Sequence, residues 1–181
     1  MSNNKLGKIH VYTGHGKGKT TAALGLAIRA LGQGLKVGII YFDKGGDYYS
    51  ERKILDKIKH LNIDYCAFGL PRLSKNKGFR FKNQVGDIKG AAAAIKQAKL
   101  WFKKNFDLLI LDEINTTVKT GLLNCDDILI LIKQKPKNLE LILTGRYCPQ
   151  EIVDLADLVT EMNAKKHYIS QGLIARPGID Y

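Results

Sequence analysis

The sequence predicts an α/β fold, a mostly parallel sheet with helices on both faces. Three observations predict it. Short β-rich runs alternate with helical runs along the 181-residue chain, the pattern that yields a parallel sheet with crossover helices. A glycine–lysine loop lies between the first strand and the first helix. An apolar strand in the second half ends in two carboxylates.

The elements follow in order. Residues 8–12 (KIHVY) are a short strand that stops at Thr13-Gly14. Residues 20–31 read as a helix with Ala22, Ala23, Leu26, Ala27 and Ala30 on one broad face, ended by Gly32 and Gly34. Residues 36–42 (KVGIIYF) are almost continuously apolar, as in a strand buried on both faces. A helix over 50–60 and a strand over 63–68 come next. Residues 69–81 have no periodicity and contain Pro71, Gly78 and several lysines, which predicts a long functional loop. An alanine-rich helix covers 87–105, with Trp101 on its core side. A strand covers 107–112 (DLLILD), a helix 126–133 stops before Pro136, and a strand covers 139–144 (LELILT). A short helix at 149–155 and a strand at 158–162 complete one domain, residues 1–181, without repeat or linker.

Bulk properties narrow the function classes. The chain is 45% hydrophobic and 25% charged, as expected of a globular domain. No run reaches the roughly 18 apolar residues of a membrane helix, so no membrane role is expected. The residues after Met1 carry no apolar signal segment, and a cytoplasmic location is expected. Cys66, Cys125 and Cys148 lack zinc or disulfide spacing and read as isolated thiols. The net charge of +12 suits a polyanion, either nucleic acid or a triphosphate. The lysines are scattered, however, and no recognition helix or stacking motif stands out, so nucleic acid is not expected as the partner.

The strongest motif is Thr13-Gly14-His15-Gly16-Lys17-Gly18-Lys19-Thr20-Thr21. Glycines let backbone N–H groups turn toward phosphate oxygens. The helix that follows offers its unpaired N–H groups and positive dipole end. Lys19 supplies a compact cation and Thr20 a hydroxyl for Mg²⁺. Thr13 stands where the usual pattern has its first glycine, so this is a variant loop. Asp112 and Glu113 emerge at the end of the strand over 107–112, on the edge where open α/β sheets bind ligands, and are assigned with Thr20 to the metal. These features define a P-loop NTPase-like, RecA-like fold. By themselves they also fit an ordinary P-loop ATPase or small kinase.

The run TGHGKGKTTAALGLAIRALGQGLKVGIIYFDKG resembles the opening of the bacterial corrinoid adenosyltransferases of the CobA/BtuR/CobO type. Residues 108–115 (LLILDEIN), 121–123 (GLL), 141–162 and 165–181 match the same family in order. The variant P-loop is itself a family feature. The resemblance implies that ATP and a reduced Co(I) corrinoid react to give adenosylcorrinoid and triphosphate. The cobalt is then the nucleophile, so no side chain is assigned that role, and Lys19 and Glu113 are supportive. Thr13 to Thr21 would bind ATP, its nucleotide reversed relative to ordinary P-loop enzymes, and Thr20, Asp112 and Glu113 would hold Mg²⁺ or Mn²⁺. Gly78-Phe79-Arg80-Phe81 resembles the family's G-F-x-W element, which implies corrinoid contacts for Phe79 and Phe81, with Phe81 in place of tryptophan. Arg146, after the strand over 139–144, is a nucleotide contact candidate, and Arg29 is similarly placed after the loop. The resemblance further implies a homodimer and an electron donor, either a reductase or a reduced flavin. Departures occur at Tyr41, where the family has glutamine, and at Lys166-His167-Tyr168, which lacks a proline. The N-terminus is also short. His15 reads as a loop-surface residue, and His167 as a structural or a ligand group.

Overall fold

Six apolar strands line up in parallel in the computed structural model, which describes residues 6–74, 78–80 and 82–181. In chain order the strands are β1 (Ile9–Thr13), β2 (Val37–Tyr41), β3 (Ile63–Ala67), β6 (Leu108–Asp112), β7 (Glu140–Thr144) and β8 (Leu158–Glu161). They stand in the order β3-β2-β6-β7-β1-β8. Pairing is in register at Val37 with Leu108 and Ile63, at Leu109 with Leu141, and at Val11 with Leu143 and Val159. Three of the inner strands, β2, β6 and β7, carry the Val/Ile/Leu runs of a sheet buried on both faces.

The period-2 alternation of these strands sorts the core into two layers. Val37, Ile39, Leu108, Ile110 and Ile142 pack with Ala23, Ala27 and Ala30 of α1 (Lys19–Gly32) and with Leu55 of α2 (Ser50–Lys57). Ile40, Leu109, Leu111, Leu141 and Leu143 pack on the other face. There they meet Ala94, Ala98 and Trp101 of α3 (Val85–Trp101), and Ile128 and Leu131 of α5 (Cys125–Lys133). The alanines of α1 and α3 set both helices close against the sheet. Gly38 serves the same purpose on β2, because a Cβ there would lie 2.9 Å from the Trp101 ring and 2.8 Å from Leu109 Cδ1.

Three expectations are corrected in detail. The helix over 87–105 is α3, which starts two residues earlier, where Gln84 N donates to the Asp87 carboxylate at 2.8 Å. It ends at Trp101, and Asn105 turns the chain with φ 51°. The helix over 50–60 stops at Lys57 and continues as a 3₁₀ turn, Lys59–Leu61. The loop over 69–81 contains a small antiparallel hairpin, β4 (Leu73–Ser74) with β5 (Gly78–Phe79). Strands of two residues are too short to leave a periodic signal. Two short helices complete the chain, α4 (Ile114–Lys119), which had no helical pattern, and α6 (Gln150–Val153).

β1 and β7 are neighbours whose following connections diverge. The chain leaving β1 crosses through α1 toward β2, whereas the chain leaving β7 goes through α6 to β8 on the other side. Ile152 of α6 belongs to the layer opposite α1. The crevice above β1 and β7 is therefore a topological switch point, where open α/β sheets bind ligands.

Candidate active site

The glycine–lysine loop lies at that crevice. β1 delivers Thr13 to the sheet edge, and the chain turns through Gly14 (φ 93°) and Gly18 (φ 118°) into α1. Gly16 packs against the segment after β8. Its N–H donates to Met162 O at 2.6 Å, and a Cβ there would lie 2.6 Å from that same oxygen. Gly16→Ala is expected to push the loop off this segment, costing about 1–3 kcal/mol of stability and weakening nucleotide binding. Urea denaturation and ATP titration calorimetry check both. An unchanged urea midpoint together with unchanged affinity would refute the close packing.

Lys19 is buried and donates from Nζ to Gly14 O at 2.7 Å and to Gly16 O at 2.6 Å, so its ammonium sits inside the loop. Burial lowers its pKa; the cations of Arg146 and Lys44 add to this, against the pull of Glu113 and Asp112. Thr20, one residue on, donates to Asp112 Oδ1 at 2.9 Å. Thr144 at the end of β7 donates to the same oxygen at 2.7 Å and accepts from Glu113 N at 3.0 Å. Glu113 turns the chain with φ 63° into α4, and its carboxylate accepts from Thr116 at 2.7 Å. Thr20, Asp112 and Glu113 are therefore brought together, as the sequence predicts.

Lys44 joins them and was missed in the sequence. It lies three residues past the end of β2, and the β2–β6 register places Tyr41 opposite Asp112. Its ammonium is 2.6 Å from Asp112 Oδ2 and 3.9 Å from Glu113 Oε1, and it donates to Thr20 Oγ1 at 2.9 Å. Burial pulls the Lys44 pKa down, but Asp112 and Glu113 more than reverse this and hold it above its ordinary value. Its position after a strand, in Asp43-Lys44-Gly45-Gly46, was the signal available.

The fit to a metal can be tested on Asp112. The residue is fully buried; Oδ1 accepts from Thr20 and Thr144, and Oδ2 meets the Lys44 ammonium at 2.6 Å. A buried carboxylate oxygen facing a cation suits a divalent ion. Among the described residues no group of three or more His, Cys, Asp and Glu gathers. The protein donors are two carboxylates and a hydroxyl, in keeping with Mg²⁺, which takes few protein ligands and completes its shell with phosphate and water.

The remaining predicted residues lie around this centre. Lys17 reaches away from Lys19 toward the chain's last residues. It donates to Tyr168 OH at 2.9 Å, to Ile179 O at 2.5 Å and to the Asp180 carboxylate. Asp180 also accepts from Arg176 Nε at 3.2 Å, and Ser50 Oγ donates to Tyr181 O at 3.1 Å. Lys17, Tyr168 and Asp180 are neighbours no local pattern could pair. Lys165 and Lys166 line a cavity of about 380 Å³ beside Gly16 and Lys17, which extends the positive face of the loop. His15 is exposed and meets Tyr147 edge-on at 4.9 Å. Thr21 is exposed on the first turn of α1, and Thr13 Oγ1 accepts from Cys148 N at 3.3 Å. Arg146 is exposed beside the loop, its backbone N donating to Thr116 Oγ1 at 3.0 Å. Arg29 lies in the last turn of α1, away from the loop. His167 Nδ1 accepts from Ile169 N at 3.2 Å, a structural cap on the turn Tyr168–Gln171.

Two arginine–aspartate pairs anchor Arg72 and Arg80. Arg72 is bidentate on Asp43 at 2.7 Å and 2.9 Å, and burial pushes the Asp43 carboxyl up against the pull of Arg72. Arg80 is bidentate on Asp87 at 2.6 Å and 2.9 Å. Burial pushes Asp87 up, but Arg80 and the N–H groups of Leu70 and Gln84 outweigh it and hold the carboxyl well below the usual range. Phe79 is placed through its backbone in β5, and Phe81 lies outside the described residues. Cys66, Cys125 and Cys148 are free, and burial pushes Cys66 and Cys148 up to about 12, as expected of inert thiols. Among the described residues no helix is long and apolar enough to cross a membrane.

Comparison with known proteins shows the family. The family model of the ATP:corrinoid adenosyltransferases BtuR/CobO/CobP matches residues 5–181. A corrinoid adenosyltransferase of Pseudomonas aeruginosa is 33% identical over 100% of this chain and 87% of its own length. The corrinoid adenosyltransferase CobA of Salmonella typhimurium is 35% identical over 97% of this chain and 86% of its own. Among solved structures, the flagellar accessory protein FlaH of Methanocaldococcus jannaschii matches with a TM-score of 0.55 and 16% identity. That match covers 87% of this chain and 71% of FlaH, a likeness of fold. Phosphate loop, strand-end carboxylates and tail all fall within the matched residues, and the chain belongs to the ATP:corrinoid adenosyltransferase family BtuR/CobO/CobP.

Proposed function

We propose that the protein transfers the 5′-deoxyadenosyl group of ATP to the Co(I) of a reduced corrinoid and releases inorganic triphosphate. The observation that carries this reading is that the family match spans both the phosphate loop and the tail that engages Lys17. A generic P-loop ATPase accounts for the loop alone. In the reaction the cobalt electron pair forms the Co–C bond to C5′. The C5′–O bond breaks, and its pair leaves on the triphosphate oxygen.

The chain's part is to position and to stabilise charge. The loop from Thr13 to Thr21 offers backbone N–H groups at the start of α1, and Lys19 places a cation among them. Lys17, held by Tyr168 and Asp180, lines the loop's outer side. Arg146 is the candidate for a nucleotide contact. Thr20, Asp112 and Glu113 would hold Mg²⁺ or Mn²⁺, which when bound neutralises charge on the departing triphosphate. The family resemblance assigns Phe79 and Phe81 to the corrinoid, and the Arg72–Asp43 and Arg80–Asp87 pairs anchor residues near them in the chain. The family resemblance supports a cytoplasmic homodimer of one P-loop α/β domain, residues 1–181, supplied with electrons by a reductase or a reduced flavin.

The test is ATP turnover with and without chemically reduced cob(I)alamin, under anaerobic conditions. Triphosphate and a light-sensitive adenosylcobalamin spectrum are expected, and only with corrinoid present. ADP and phosphate formed regardless of corrinoid would instead identify an ordinary P-loop ATPase.

A further inference from the structure

The three residues assigned to the metal already have a cation among them, and the chain supplies it. Lys44 Nζ donates to Thr20 Oγ1 at 2.9 Å, stands 2.6 Å from Asp112 Oδ2 and lies 3.9 Å from Glu113 Oε1. Asp112 is fully buried. One of its oxygens is satisfied by the hydroxyls of Thr20 and Thr144 at 2.9 Å and 2.7 Å. The other is paired with the ammonium at 2.6 Å. A buried carboxylate needs such a partner, because removing the partner leaves an uncompensated charge in a low dielectric.

We infer that Lys44 is the resident counter-ion of the metal site, filling the place between Thr20, Asp112 and Glu113 until a divalent ion displaces it. The inference rests on the reading that these three residues hold a divalent ion, and it concerns how that ion gains entry. An ammonium and a divalent ion cannot share these oxygens, since their repulsion at a few ångströms in a buried site is too large. Arg52, itself buried, donates from Nη1 to Gly46 O at 2.7 Å and from Nη2 to Lys44 O, so the backbone is fixed and displacement of the ammonium falls to the four-carbon stem. In consequence the nucleotide-free protein resists free divalent ion. Metal enters together with a polyphosphate, whose negative charge accommodates both cations.

Mn²⁺ binding to the nucleotide-free protein, counted by electron paramagnetic resonance, tests this. Wild type and Lys44→Arg are expected to bind Mn²⁺ weakly. Lys44→Met is expected to bind it more tightly, by the about ten- to hundred-fold through which neighbours of a metal site move metal affinity. Its melting temperature should be depressed in chelator and restored by Mn²⁺. If Lys44→Met does not fold, Lys44→Gln carries the same expectation, and failure of both variants to fold even with Mn²⁺ overturns the inference. A parallel titration of Mn²⁺ with ATP separates the two levels. If Asp112→Asn weakens that binding but Lys44→Met leaves nucleotide-free Mn²⁺ affinity unchanged, the Lys44 inference falls alone. If Asp112→Asn has no effect, the metal reading falls and takes the inference with it.

Discussion

Lys19→Ala is expected to lower kcat/KM for ATP by about a hundred- to a thousand-fold, the range for loss of one preorganised charge-stabilising group. The expectation follows from where the ammonium sits. Its Nζ is inside the loop, donating to the carbonyls of Gly14 and Gly16, and the side chain is buried. Alanine removes the side-chain cation that, among the described residues, is placed in the turn itself, since Lys17 reaches outward to Tyr168 and Asp180. Lys19→Arg is expected not to rescue, because a planar fork does not fit a cavity shaped for a compact ammonium. The fold should persist, as Lys19 lies at the start of α1 and contributes little to either apolar layer. The assay is adenosylcobalamin formation from cob(I)alamin at varied ATP, with circular dichroism to confirm folding. Activity within about three-fold of wild type, well below the expected loss, would mean that the loop does not cradle the triphosphate.

The parts of this site legible in the sequence are those built from contiguous residues. Gly14 to Thr21 announce a phosphate loop because glycine freedom, lysine charge and a helix start act within one turn of chain. Asp112 and Glu113 are legible because a strand carries its last residues to the ligand edge of the sheet. Lys44, Tyr168 and Asp180 were not legible, because their roles depend on which elements become neighbours. Lys44 reaches Asp112 only through the β2–β6 register, and Asp180 reaches Lys17 only because the tail returns across the loop. The fold divides in the same way. The strands and the long helices follow from apolar runs and alanine spacing. The α4 helix, six residues opening on a left-handed glutamate, has too few turns to show a period. The end of α3 was misplaced because Lys103 and Lys104 are good helix formers. The turn at Asn105, which brings Phe106 back under Trp101, overrides them.

That return of the chain locates the largest expected loss of stability. Trp101→Ala is expected to cost about 3–5 kcal/mol, the range for removing a large buried aromatic, and to lower the melting temperature by roughly 6–20 °C in a domain of this size. Trp101 is 5% exposed at the C-terminal end of α3. One side of its ring meets Phe106 with centroids 4.8 Å apart. Another lies over Gly38, where β2 has no side chain to hold it off the sheet. The site is shaped on two sides by the absence of a Cβ and by an aromatic neighbour, so alanine leaves a cavity that neither backbone can close. The Gly38 contact also makes a paired test possible. Gly38→Ala, which in the wild type would force its Cβ to 2.9 Å from the indole and 2.8 Å from Leu109 Cδ1, is expected to cost less in the Trp101→Ala background, where the indole contact is gone and Leu109 can shift into the vacated space. Urea denaturation of the four proteins yields the coupling. The catalytic edge is at the opposite end of the strands, so cob(I)alamin adenosylation well below the lowered melting temperature should be close to wild type. Strict additivity of the two substitutions would show that Trp101 does not rest on β2 at Gly38.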